Sequence, residues 1–447
     1  MKNEKLFDLL FMSIILKLPA SIERIERGDK VLFFNPEVPS WLVTNSNGAL
    51  LLSLCDGNNS LDEILSSLLE SNGREAYELG NAFFREAIGS KIFDVPVRGT
   101  VPIHEERQVL SSVQLSISSH CNLHCKYCYA TDRKEGGEKG LTLNEYKRVI
   151  DEIVELSGDV EFTLTGGEPL LNKDVFSIAR YIHDKGCLVD VLTNGTLISD
   201  KNIDDVKSSF DKVSISIDGS SAERHERFRG KGSYAKTIYA IELLRRHDIP
   251  YRLSMTVNRL NIGDVETMAK KYGSYMNFAP LFPAGDAKKS EEDLSITGME
   301  YYKSLKSASG VNPLSYCDST LSSSQECRRC KCAIGGSEIS ISPTGDVYPC
   351  QLLHYPEFLM GNVRDSGIDE ILSTSDVVKR YSCMVVDNIE GCSTCFLRYV
   401  CGGACRARAY HECGDIFKSG SFCEYEREAF IDGIFSIYGN NVLEMRN

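Results

Sequence analysis

Cys121, Cys125 and Cys128 lie within the run His120-Cys121-Asn122-Leu123-His124-Cys125-Lys126-Tyr127-Cys128-Tyr129, a C-x3-C-x2-C spacing. Closely spaced thiolates of this kind hold iron–sulfur clusters, normally four to a cluster. Three thiolates leave one iron without a protein ligand, and an open iron can bind a small molecule and pass it an electron. Two plainer readings compete. Zinc takes paired C-x2-C units completed by a fourth Cys or His, and three cysteines can also be unrelated members of a core.

The flanks favour the cluster. Val113-Gln114-Leu115-Ser116-Ile117-Ser118 reads as a short buried strand with the cysteines in the loop that follows. Glu161-Phe162-Thr163-Leu164-Thr165 reads as the next parallel strand and ends in Gly166-Gly167-Glu168-Pro169. Glycines at such a turn let backbone approach a ligand closely. Together the cysteine loop and this turn resemble the radical SAM superfamily. The resemblance implies a [4Fe-4S] cluster on Cys121, Cys125 and Cys128 whose open iron is chelated by S-adenosylmethionine (AdoMet), with Gly166, Gly167 and Glu168 holding the AdoMet amino group. It also implies reductive cleavage of AdoMet to a 5′-deoxyadenosyl radical that takes hydrogen from a substrate carbon.

These residues need a frame. Short apolar runs near 188–192, 212–217, 251–257 and 275–280 alternate with helical stretches near 173–185, 235–247 and 264–272. That alternation predicts an α/β fold with a parallel sheet and helices outside it. With the two strands above, it makes an open, partial (β/α)6 TIM barrel, whose chemistry sits at the carboxyl ends of the strands. Polar residues stand there: Asn194-Gly195 after the third strand, Asp218-Gly219 after the fourth and Asn258 after the fifth. Ser216-Ile217-Asp218-Gly219, with His225 and Phe228-Arg229-Gly230, resembles the family's fourth-strand signature. Ser216 and Arg229 thereby become candidates for the methionine carboxylate, since a guanidinium meets a carboxylate in a planar fork. A solvated surface arginine is the competing reading, and His225 reads as structural. The resemblance also sets the backbone of Tyr127 against the adenine, Val257 on the strand that flanks it, and Asn194 among the cofactor contacts.

A second cysteine field follows. Cys332 is followed by twelve residues, Gly345, four residues and Cys350; Cys392-x2-Cys395-x5-Cys401-x3-Cys405 comes next, then Cys423 after seventeen more. The ordered array resembles the SPASM domain of radical SAM peptide maturases, whereas a zinc ribbon would not account for the C-x5-C-x3-C run. The resemblance implies two auxiliary [4Fe-4S] clusters. Cys392, Cys395, Cys401 and Cys423 would hold the outer one, and Cys332, Cys350 and Cys405 the inner one. Cys317, Cys327 and Cys330 compete for a fourth inner position, with Cys327 at the most familiar spacing; with none of them bound, the inner iron is open to a substrate thiolate. Sulfatase-maturing relatives place an Asp base immediately after the cysteine equivalent to Cys350. Here Gln351 stands there, and an amide does not accept a proton as a carboxylate does.

The 447 residues exceed one typical domain. Seventeen cysteines without a basic, apolar leader point to a cytoplasmic, oxygen-sensitive protein rather than a disulfide-bonded secreted one. Cys55, Cys187, Cys383 and Cys413 fall outside the motifs and read as buried free thiols. The apolar run 6–19 is too short to span a bilayer and reads as a packing helix. A net charge of −13 with no basic, aromatic-studded stripe speaks against nucleic acid and membrane partners.

The first hundred residues belong to neither module. Two short strands around 35–45, a helical Leu50–Cys55, a break at Asp56-Gly57-Asn58-Asn59 and a helix capped by Ser60 resemble the small winged-helix α+β domain that recognises leader peptides. Such domains extend a sheet edge with the peptide backbone. An ordinary helical cap is the alternative, and Trp41 reads as a core residue. The expectation is therefore a leader-recognition domain (1–98), a radical SAM core (109–310) and a SPASM domain (311–447), acting on a ribosomally made precursor peptide with electrons from a flavodoxin or ferredoxin. Sulfatase or cofactor maturation, as in quinone or heme pathways, is the enzymatic alternative. A non-catalytic iron–sulfur carrier or peptide-binding scaffold would have no need of an open iron.

Overall fold

The computed structural model describes residues 11–93, 110–131, 139–308, 311, 332, 336–382 and 384–438. The chain opens with β1 (Ile15–Lys17), β2 (Glu23–Arg27), β3 (Lys30–Asn35) and β4 (Ser40–Asn45), then helix Ser46–Ser53, β5 (Asp56–Ser60) and the long helix Leu61–Gly89. β2, β3 and β4 form an antiparallel meander, and β1 pairs with β5. Two expectations change here. Residues 15–17 are a strand rather than part of a packing helix, because Ile14 O and the Leu18 N–H are taken up by Leu61 and Cys55 on either side of β5. The break at 56–59 is the strand that receives it. Ser60 caps the long helix as expected, in a reciprocal box with Glu63.

Strands β6 (Ser112–Ser118), β7 (Glu161–Gly166), β8 (Val189–Thr193), β9 (Lys212–Ser216), β10 (Tyr251–Val257) and β11 (Met276–Pro280) run parallel, each beside the next. Their order is that of an open barrel, with the cysteine loop after β6. Between β6 and β7 lies helix Leu143–Ser157, which buries Tyr146, Val149, Ile150 and Ile153 at helical spacing against the sheet.

The C-terminal region extends the same sheet. β12 (Glu338–Ile341) pairs in parallel with β6, and β13 (Asp346–Tyr348) and β14 (Gly361–Asn362) follow antiparallel. The N-terminal meander is docked rather than loose. Leu32, Phe34, Trp41 and Val43 on one face join the main core, while Val31, Phe33 and Leu42 on the other face pack with the N-terminal helices. Alternation along a strand puts the two sets on opposite faces, so both faces of β3 and β4 are apolar. Trp41 is a core residue, stacked on Phe34.

Candidate active site

The cysteine loop, the β7 turn and the C-terminal cysteines surround one cavity of ≈1070 Å³. Its barrel wall carries the three loop cysteines, Gly166, Gly167, Asn194, Ser216 and Arg229. Its far wall carries Cys332, Cys350, Cys401, Cys405 and Cys423. Two redox-capable thiol groups therefore face one space.

Backbone contacts seat the loop. The Gly167 N–H donates to Ser118 O at 2.6 Å and the Glu168 N–H to His120 O at 2.8 Å. A Cβ on either glycine would strike this loop backbone, and Gly166 has φ +140°, where side chains are disfavoured. The first neighbour of these glycines is thus the cysteine loop itself. Glu168 is wholly buried and away from the cavity wall. Its carboxylate accepts from the Thr193 hydroxyl at 2.7 Å, the Leu170 N–H at 3.1 Å and the Asn194 N–H at 2.9 Å. Burial pushes its pKa up against these donors.

Asn194 reaches the loop directly. Its side-chain amide donates to Asn122 Oδ1 at 2.9 Å and approaches Cys121 Sγ at 3.9 Å. The Leu123 N–H also points at Cys121 Sγ, at 3.4 Å. Arg229 is buried at the end of helix Ala222–Arg229, with its Nε on Asp218, so it is no solvated surface residue. Tyr127 lies against Phe228 and gives its hydroxyl to the same carboxylate. Val257 sits in the hydrophobic core; the side chains of β10 that face the cavity are Ser254 and Thr256. His225 is buried and holds the Asp218 N–H at 3.2 Å, a structural role.

The donor set fits iron–sulfur clusters. Burial raises Cys121 and pushes Cys125 up to about 11, so these thiols become thiolates only when positive charge is supplied. Among the described residues no three of His, Cys, Asp or Glu converge on one point as a mononuclear zinc site requires. Burial above all raises the Cys350, Cys401 and Cys423 thiols; smaller contributions come from Cys405 and Cys332 at Cys350, from Cys392 and Cys395 at Cys423, and from Cys423 at Cys401. Cys350 thus has Cys332 and Cys405 nearby, and Cys423 has Cys392, Cys395 and Cys401. Cys317, Cys327 and Cys330 lie outside the described residues, as does Cys383; Cys55 and Cys187 are buried as expected, whereas Cys413, at the end of its helix, is exposed.

Three neighbours escaped the sequence reading. Glu338 lines the cavity at the start of β12 and accepts from Gln114 Nε2 at 3.0 Å. Arg406, fully buried, donates to Ile416 O and Lys418 O, and its charge partly offsets the rise that burial imposes on the Cys392 and Cys423 thiols. Asp218 anchors Arg229 and Tyr127. The only available signals were an Arg beside Cys405 and an Asp in a strand-end turn, which read equally well as surface features. Tyr129 of the loop meets Gln351 at 3.4 Å, tying the barrel to the C-terminal region.

Comparisons with known proteins give the same division. Residues 115–272 match the Radical SAM superfamily, whose domain carries a [4Fe-4S] cluster with AdoMet. Residues 332–396 match the SPASM iron-sulfur cluster-binding domain, which holds auxiliary clusters. An AdoMet-dependent heme synthase of Methanosarcina barkeri is 30% identical over 69% of this chain and 95% of its own length. The antilisterial bacteriocin subtilosin biosynthesis protein AlbA of Bacillus subtilis is 28% identical over 74% of this chain and 72% of its own. The crystal structure of Streptococcus suis SuiB bound to precursor peptide SuiA shares the fold, with TM-score 0.53 at 12% identity, covering 92% of this chain and all of that one. With its cysteine loop, its parallel barrel and its cysteine-rich C-terminal extension accounted for, this chain belongs to the radical SAM superfamily and carries a SPASM domain.

Proposed function

We propose that the protein oxidatively modifies, by crosslinking, a ribosomally synthesised precursor peptide, with domains at 1–98, 109–310 and 311–447. The bound cluster and AdoMet supply an electron and the 5′-deoxyadenosyl radical that draws a hydrogen atom from the substrate. Cys121, Cys125 and Cys128 hold that cluster, Asn194 steadies the loop beside Cys121, and Gly166, Gly167 and Glu168 shape the amino end of the AdoMet seat. Ser216 and Arg229 face the methionine carboxylate, and the backbones of Tyr127 and Val257 flank the adenine. Cys392, Cys395, Cys401 and Cys423 hold the outer auxiliary cluster; Cys332, Cys350 and Cys405, with Cys327, hold the inner one. A flavodoxin or ferredoxin in the cytoplasm supplies electrons.

The observation that carries the reading is one cavity lined by both sets of thiols. A chain segment lying there has radical chemistry on one side and an electron acceptor on the other. Likeness to a heme synthase favours a second reading, a tetrapyrrole substrate. One feature weighs against it: nearly a third of this chain lies outside that likeness, whereas the fold shared with SuiB takes in most of the N-terminal module.

The deciding experiment incubates the reconstituted full-length protein with AdoMet, reductant and the peptide encoded by a short Cys- or Gly-rich reading frame beside the gene. Loss of hydrogen from the peptide by mass spectrometry is the expected result. An unaltered peptide, together with loss of carbon dioxide from an iron porphyrin bearing propionates, would establish the tetrapyrrole reading instead.

A further inference from the structure

One buried carboxylate ties the two halves of the AdoMet seat together. Asp218, just beyond β9, is 0% exposed. Its Oδ2 accepts from Arg229 Nε and from the Tyr127 hydroxyl, and its Oδ1 accepts from the Thr256 N–H at 2.8 Å. These three partners come from different elements: the cysteine loop, the helix Ala222–Arg229 and β10. The backbone repeats the knot, with the Lys126 N–H on Phe228 O at 3.0 Å and Asn261 Nδ2 on Asp218 O at 3.2 Å. Gly219 keeps the turn tight, since a Cβ there would press on Arg224 and His225. Arg229 lines the cavity with its Nε held by Asp218 and its guanidinium carbon 5.7 Å from the centre of the Tyr127 ring.

We infer that Asp218 is a positioning residue that aligns Arg229 with the methionine carboxylate and, through Tyr127, locks the cysteine loop to the same anchor. Cluster seat and cofactor seat are then set by one side chain that touches neither. The inference rests on the place proposed above for Arg229. Asparagine is the informative replacement. It can still accept from Thr256, but its amide would then turn N–H groups toward the Arg229 and Tyr127 donors, which the guanidinium has no means to accept.

The test uses full-length reconstituted enzyme with AdoMet as the probe, read by calorimetry, by the AdoMet-induced change in the reduced cluster's EPR signal and by iron content. Asp218→Asn should keep its iron and bind AdoMet at least about tenfold more weakly, the loss of one charge-assisted bond. Arg229→Ala should also weaken binding, and the double variant should bind within about twofold of Arg229→Ala alone, because both changes remove one alignment. If Arg229→Ala binds normally, the place given to Arg229 fails. If it weakens binding while Asp218→Asn does not, or if the two losses add, the inference fails alone. Tyr127→Phe keeps the ring and serves if Asp218→Asn does not fold. It should retain iron yet alter the AdoMet-induced EPR change, and a wild-type response would overturn the shared anchor.

Discussion

A thiol becomes a ligand only when it gives up its proton, and at this site burial opposes that. Cys125 is pushed up to about 11 by desolvation, with Arg229 pulling the other way without reversing it. A cluster held by these thiols would itself have to supply the positive charge that makes them thiolates, with protons released on binding. Replacing Cys121, Cys125 and Cys128 together with Ala should remove about one third of the iron, one of about three clusters. The C-terminal thiols occupy separate neighbourhoods and should keep theirs. Formation of 5′-deoxyadenosine should stop altogether, as measured by chromatography of the reaction mixture. Persistent cleavage of AdoMet by this triple variant would take the loop cysteines out of their assigned place. Glu168 gives a contrasting lesson in reading single residues. Its motif was visible in the sequence, but its side chain is enclosed by Thr193, Asn194 and Leu170. A carboxylate in a motif can serve the ligand by shaping the backbone that surrounds it.

At the scale of elements, helix Leu143–Ser157 shows how the C-terminal region is fastened to the barrel. Thr142 and Glu145 form a capping box at its N-terminus. The Glu145 carboxylate also receives Arg364 Nε at 2.7 Å, and Arg364 reaches back to Lys139 O and Gly140 O. Arg364 and the capping bonds hold Glu145 down to about 2, from its ordinary 4.5. A carboxylate depressed in the folded state adds stability above its unfolded pKa and loses it as pH falls toward the folded value. Glu145→Gln should thus cost about 1 kcal/mol at neutral pH, and the difference from wild type should shrink between pH 4.5 and about 2. Thermal unfolding across that range checks it; a gap independent of pH would mean that charge is not the cause. The barrel strands were legible because their signals are local: Tyr251–Val257 alternates apolar and polar residues between Pro250 and Asn258, and the structure keeps those bounds. The β12–β6 pairing joins Glu338 to Ser112, and a contact so distant in sequence leaves no local trace. β5, with sequence Asp-Gly-Asn-Asn-Ser, has poor strand propensity and is a strand only because β1 lies beside it. The cysteine spacing was visible in the sequence, whereas Asp218 looked like turn punctuation until its partners from three elements were brought together.

For the whole molecule, the important contact is between the N-terminal meander and the outer cysteine neighbourhood. Phe34 lies edge-on to Phe396, the residue after Cys395, with ring centroids 5.8 Å apart. Arg27 bridges Glu428 at 2.6 Å and Asp432 at 2.7 Å on the last helix, and Arg398 meets Glu37 at 2.8 Å. The ion pairs are partly exposed and are worth up to about 1 kcal/mol each. Truncating a buried phenylalanine costs about 3–5 kcal/mol, so the apolar face dominates the docking. The N-terminal module is consequently part of the wall behind Cys395, besides any part it plays in holding peptide. Phe34→Ala should lower the midpoint of thermal unfolding by several degrees and speed iron loss to a chelator from the outer cluster, while the AdoMet-binding cluster on the opposite wall is retained. Arg27→Ala should change either property little. Phe34→Leu, which keeps most of the volume, should fall between them. The measurement is iron release with time under anaerobic chelation, followed by the EPR signals of the clusters that remain. Equal release from Phe34→Ala and wild type would show that the outer cysteines hold their geometry without the meander.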